Sequence, residues 1–170
     1  MRSLLLSSAL VLAAAQTPAQ ADVPYTPDQI VEALIATVDL GASRAICIGT
    51  VEECTPEPVA GLDMMVNFDL DSYELRADAL EVLSVFATAL KDERLSVAGF
   101  LVEGHTDARG GPDYNMDLSE RRAASVTAHL VDLGVAPERI SATGFGLTRP
   151  RTEDPFDAVN RRVELRLTLD

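Results

Sequence analysis

Two neighbouring segments of this chain carry opposite charges on what read as rigid elements. Glu103-Gly104-His105-Thr106-Asp107 closes an apolar run, and Asn115 with Leu118-Ser119-Glu120-Arg121-Arg122-Ala123 opens a helical one. Asp107 and Arg122 stand fifteen positions apart. A carboxylate at a strand end and a guanidinium in the first turns of the next helix can grip both ends of an amino-acid zwitterion. The guanidinium suits the anionic end, because its planar fork meets a carboxylate through two parallel N–H···O bonds. In strand–helix units the loop beyond a strand's C-terminal end is where ligands tend to sit. Gly104, Gly110 and Gly111 let the backbone bend closely there. On residue types alone, the commoner reading of such a pair is a mutual ion pair, or a turn capped by Asp107.

Other chemistry finds less support. His105 and Asp107 could begin a metal site, but the only other histidine is His129 in the following helical segment, so three or four good ligands are lacking. A hydrolase needs a nucleophile beside a base, or paired carboxylates across a bond. Ser119 stands in a helix-opening motif, where a structural role suffices. Gly144-Phe145-Gly146 is too short for a phosphate loop and reads as a tight strand-end turn. No catalytic residue, metal site or cofactor is expected.

The elements that must hold this pair follow from periodicity. Asp63 to Phe68 reads as a first strand with a polar turn after it, at Asp69-Leu70-Asp71-Ser72. From Arg76, the residues Ala79, Leu83, Phe86 and Leu90 mark an amphipathic helix. Leu95 to Val102 has the length and apolarity of a central strand. A second helix runs from about Leu118 to Leu133, with Ala123, Val126, Leu130 and Leu133 toward the core and Gly134 as its end. Asp117 with Glu120 has capping-box spacing, and Asn115 competes as the cap. Arg139 to Phe145 gives a third strand. Val163 to Leu169 alternates strictly, as a strand with one buried and one wet face would. Residues 146–159 form a long loop broken by Pro150 and Pro155. The fold class is therefore α+β, a βαβαββ domain with two helices on one face of a small mixed sheet and the last strand antiparallel.

The chain of 170 residues has a net charge of −13, with most of the excess acid before residue 106. Such a surface repels nucleic acid and anionic headgroups at long range. Met1-Arg2, the apolar run Leu4 to Ala15 and Ala19-Gln20-Ala21 read as a secretory signal peptide over residues 1–21. That run is shorter than the ~20 residues a bilayer span needs, so no transmembrane segment is expected after cleavage. With no cysteine following the leader, the mature form is expected to be exported without a lipid anchor. Residues 22–61 then form a short appendage, with a helix opening at Thr26-Pro27-Asp28 and ending near Gly41. It also holds Cys47 and Cys54, the only cysteines, and export favours a disulfide between them. Residues 62–170 form the main domain.

The series Thr106-Asp107, Asn115, Leu118-Ser119-x-x-Arg122-Ala123, followed by Asn160-Arg161-Arg162-Val163-Glu164, resembles the OmpA-like peptidoglycan-binding domain over roughly residues 62–170. The resemblance implies that the ligand is the diaminopimelate residue of the peptidoglycan stem peptide. Arg122 would take its carboxylate, Asp107 its ammonium, and Asn115 backbone or ligand oxygens. Arg162 and Val163 match positions at the groove edge, Asp71 a variable groove-wall position, and Arg161 a structural one. It further implies a non-enzymatic wall-binding module in the periplasm, joined to an outer-membrane or periplasmic protein partner. The alternative is a bridge between envelope proteins that keeps the fold without binding the wall.

Overall fold

The computed structural model describes residues 25–42, 62–64, 66–69 and 71–168, with side chains left aside for 37–42. The leader and the Cys47–Cys54 pairing lie outside the described residues.

Three helices and four strands follow one another as α1 (Pro27–Ala42), β1 (Leu62–Asp63), α2 (Ala77–Leu90), β2 (Gly99–Gly104), α3 (Pro112–Asp132), β3 (Ile140–Gly144) and β4 (Val163–Thr168). The sheet order is β1-β4-β2-β3. β2 and β3 are parallel, while β4 runs antiparallel to both β2 and β1. The α2 stripe lies inward as its spacing requires: Ala79, Leu83, Phe86 and Leu90 are all buried. They meet Val126 and Leu130 of α3 and Phe100, Val102 and Leu165 of the sheet in one core. Ile30, Val31 and Leu34 of α1 belong to the same core, so the N-terminal helix packs on the domain. α1 runs one residue beyond Gly41, where the sequence suggested its end.

Three boundaries differ from the sequence reading, each for a physical reason. The first strand is only Leu62–Asp63, with one further bond from Met64 N to Val163 O. Its register, Leu62 opposite Leu165 and Asp63 opposite Glu164, runs off the start of β4, so nothing remains for residues 66–68 to pair with. The chain leaves the sheet there, and Asp71 adopts φ +55° in the turn beyond. β2 lies later than expected, because Leu95 belongs to a 3-10 turn (Glu93–Leu95) and the strand extends through Glu103 to Gly104.

α3 starts six residues earlier than the expected Leu118, at Pro112 behind Gly111, with proline in its preferred first-turn position. Asn115, Asp117 and Glu120 are therefore inside the helix and none caps it. Asp117 pairs instead with Arg121 at 3.0 Å. The extra turns carry no core stripe because they face a cleft. At the other end Gly134 (φ +93°) closes α3, with Val135 N bonded to Leu130 O and Gly134 N to Val131 O, the Schellman pattern. No helix among the described residues is long and apolar enough to cross a membrane.

Candidate functional site

Gly104 and Gly144 are register partners at the ends of β2 and β3, and α3 rests directly on both. A Cβ on Gly104 would fall 2.1 Å from the Ser119 carbonyl oxygen, and one on Gly144 would fall 2.5 Å from Ser119 Oγ. Gly104 thus serves helix–sheet contact rather than bending around a ligand. Ser119 Oγ donates to Met116 O (2.8 Å) and accepts from Gly146 N (2.9 Å), tying the helix to the loop after β3. Asn115 stands one turn before this anchor and Arg122 one turn after it. The contact therefore sets both against the loop leaving β2.

A cleft of about 350 Å³ opens there, its walls including Asp71, Asp107, Arg109, Asn115, Arg122 and Arg161. Asp107 is only 4% exposed. Its Oδ2 receives Arg109 Nη1 at 2.6 Å and Arg161 Nη1 at 2.7 Å, and its Oδ1 accepts from Arg109 N at 3.0 Å. Burial would raise its pKa, but the bonds from Arg161 and Arg109 outweigh that and hold it below the usual carboxylate value.

Arg122 is 7% exposed. It donates from Nε to Ser72 O (2.9 Å) and from Nη2 to Asp69 O (3.4 Å), and its guanidinium lies 4.9 Å from the Phe68 ring centroid. It forms no ion pair among the described residues. Burial lowers its pKa and the nearby Arg161 charge adds to this, outweighing the opposite pull of Tyr114, Asp107 and Asp71, yet an arginine stays charged.

Asn115, buried, donates from Nδ2 to Arg109 O at 3.0 Å and so fixes the turn at Gly110, where φ is +91°. Asp71 accepts from Tyr114 Oη at 2.5 Å.

Asp107, Arg122, Asn115 and Asp71 thus share one cleft, whereas Arg162 and Val163 do not line it. Val163 is in the core at 1% exposure. Arg162 turns inward to Glu164 Oε1 at 2.5 Å, and its neighbour Arg161 holds the place at the cleft. Sequence reasoning missed Arg109, which directly follows the Thr106-Asp107-Ala108 segment. It also assigned no role to Asn160, whose fully buried amide accepts from Arg151 N (2.7 Å) and donates to Asp154 O (2.9 Å), folding the long loop back on itself.

The outer row of the sheet is not wet as the alternation suggested. Asp63, Glu164 and Glu103 lie side by side across three strands, and Glu103 and Glu164 are each 2% exposed. Arginines offset what would otherwise be repulsion. Arg151 bridges Asp63 and Glu164 at 2.8 Å each, Arg166 Nε lies 2.8 Å from Glu103, and Arg162 meets Glu164. His105 Nε2 approaches Glu103 Oε2 at 3.7 Å, with its ring stacked on Phe145. Glu103, His105 and Glu164 could together reach one cation, but their carboxylates already face guanidiniums, which a metal ion would have to displace.

A mixed four-stranded sheet under packed helices, with a charged cleft where α3 meets the strand ends, defines a small α/β domain of the OmpA-like type. The chain belongs to the OmpA family, whose profile matches residues 67–164. It is 41% identical over 102 residues to the peptidoglycan-associated lipoprotein of Pseudomonas aeruginosa, covering 58% of this chain and 59% of that protein. With the peptidoglycan-associated lipoprotein of Pseudomonas putida it shares 37% over 135 residues, covering 77% of this chain and 80% of the relative. The crystal structure of the peptidoglycan-associated lipoprotein from Burkholderia pseudomallei superposes with a TM-score of 0.53 at 32% identity, over 61% of this chain and 88% of that one.

Proposed function

We propose that this protein binds peptidoglycan noncovalently in the bacterial envelope, through the diaminopimelate residue of a stem peptide. The observation that carries this reading is Arg122, a guanidinium held almost out of water, bonded only to backbone carbonyls and in no ion pair among the described residues. A buried charge without a counter-ion is costly, and a carboxylate-bearing guest entering the cleft supplies one. Asp107 in the same cleft offers the opposite charge for the guest's ammonium. The far end of diaminopimelate carries both groups, unlike an ordinary peptide side chain. The relatives named peptidoglycan-associated lipoproteins support the same class of ligand.

The function is attachment rather than chemistry, with the protein exported to the periplasm, residues 1–21 removed, and a protein partner at the outer membrane or in the periplasm. Co-sedimentation with purified sacculi tests it, comparing the mature protein with Asp107→Asn and Arg122→Ala. Binding to diaminopimelate-type sacculi should fall sharply in both variants. Lysine-type sacculi should bind weakly, since lysine lacks the second carboxylate, and no muropeptides should be released. Undiminished binding by both variants would sink the assignment of the site.

A further inference from the structure

Beside the cleft lies a second hollow of about 190 Å³, sharing Phe68, Arg122 and Arg161 with it and bounded further by Asn67, Ala158 and Arg162. Among the described residues no carboxylate lines it. In a chain of net charge −13, a recess walled by three arginines and no acid calls for an account.

Local charge gives one. Asp69 turns to Arg76, which it shares with Asp78, and Glu164 holds both Arg162 and Arg151. Facing the joined recesses, Arg109, Arg122 and Arg161 meet Asp107 and Asp71, and the hollow itself offers guanidinium donors with no lining carboxylate among the described residues. A guest with one more carboxylate than a zwitterion can set it against those donors.

Geometry says which arginine meets the extra carboxylate. Asp107 Oδ2 is shared by Arg109 and Arg161, and an ammonium arriving at that oxygen must displace one of them. Arg109 is also held by its own backbone N–H on Asp107 Oδ1 and by its guanidinium on Phe156 O at 3.1 Å. Arg161 has no second side-chain hydrogen bond among the described residues. It is the one released, and the hollow lies on its other side.

We propose that Arg161, freed from Asp107 when the ligand's ammonium binds, captures a second carboxylate in this hollow: the main-chain carboxylate of a stem peptide ending at diaminopimelate. The inference rests on the diaminopimelate reading of the neighbouring cleft. It makes the site selective for short stems with a free terminus, over ones whose terminus is blocked.

Calorimetric titration of the mature protein tests this with two probes in phosphate-free buffer. One is a stem tripeptide ending in diaminopimelate with its main-chain carboxyl free; the other is the same peptide with that carboxyl as a carboxamide. A charge-assisted hydrogen bond gained by one probe alone should separate them by about tenfold or more in Kd. Asn67→Asp, which adds a negative charge to the hollow from an exposed position, and Arg161→Gln should both bring the ratio to near one. Equal binding of the two probes by the unaltered protein overturns this inference and leaves the diaminopimelate reading standing. So does a ratio that both variants preserve. Binding of neither probe overturns both readings together.

Discussion

Arg122 and Asp107 wall the same cleft without pairing with each other. Asp107 is claimed by Arg109 and Arg161, and Arg122 by the carbonyls of Ser72 and Asp69. The two charges are thus held apart on separate supports, one on the strand-end loop and one on α3, so that each can face a guest. Replacing Arg122 with Met separates binding from folding. A buried charge exchanged for an apolar side chain of similar length changes stability little, within about 1 kcal/mol. Loss of a desolvated charge partner costs binding roughly 2–5 kcal/mol, about thirtyfold or more in affinity. Urea unfolding and sacculus binding measured on the same preparation should show the second change without the first.

The contact beneath this arrangement is equally testable. Gly104→Ala sets a methyl group against the Ser119 carbonyl, where backbone rather than a flexible side chain must yield. Overpacking of this kind costs about 1–3 kcal/mol, and lifting α3 shifts Asn115 and Arg122 together. Gly104→Ala should therefore lower both the urea midpoint and the affinity for sacculi. Gly111→Ala, with nothing within 4 Å of the added Cβ, is the control and should leave both near their original values.

Much of this fold was legible in the residues, and the misses have a common origin. The stripe from Ala79 to Leu90 identified α2 because apolar spacing reports what faces a core. The same logic hid the first turns of α3, since Asp113 is exposed and Tyr114 and Asn115 face the cleft, so they leave no stripe. It also misjudged β4, where alternation correctly placed Glu164 away from the core. Period alone could not show that arginines from elsewhere would cover it. Arg161, rather than Arg162, lines the cleft for a related reason. Adjacent residues entering a strand point opposite ways, and which one meets the cleft depends on where pairing begins.

The arginine-covered carboxylates set a direction for stability against pH. Burial would raise the pKa of Glu164, but Arg162 and Arg151 outweigh it; at Glu103 burial is likewise outweighed, by His105 and Arg166. Both folded values lie below the ordinary 4.5. A carboxyl depressed on folding stabilises fully above its unfolded pKa, and that contribution is lost as pH falls through the folded value. Urea midpoints should therefore hold from neutral pH down to about 5 and decline below roughly 4. Glu164→Gln should lower the neutral-pH midpoint and flatten the acid decline. An undiminished slope in that variant would assign the acid sensitivity to other carboxyls.

α1 adjoins the core but lies outside the matched family segment, residues 67–164. Ile30, Val31 and Leu34 have no exposed surface and pack into the same cluster as Phe86 and Leu165. Across the helix–helix contact, Tyr25 meets Phe86 edge-on at 6.3 Å between ring centroids. The surface pair Arg94–Asp28 adds little, being open to water, so apolar burial must hold this helix in place. Leu34→Ala should destabilise the protein by about 2–5 kcal/mol, the range for emptying a well-packed aliphatic site. No described side chain of α1 lines the cleft or the hollow, so sacculus binding at a temperature where the variant remains folded should be unchanged. If Leu34→Ala left the urea midpoint untouched, α1 would be a detachable appendage. A loss confined to stability makes the helix part of the folded unit and leaves recognition to the strand-end cleft.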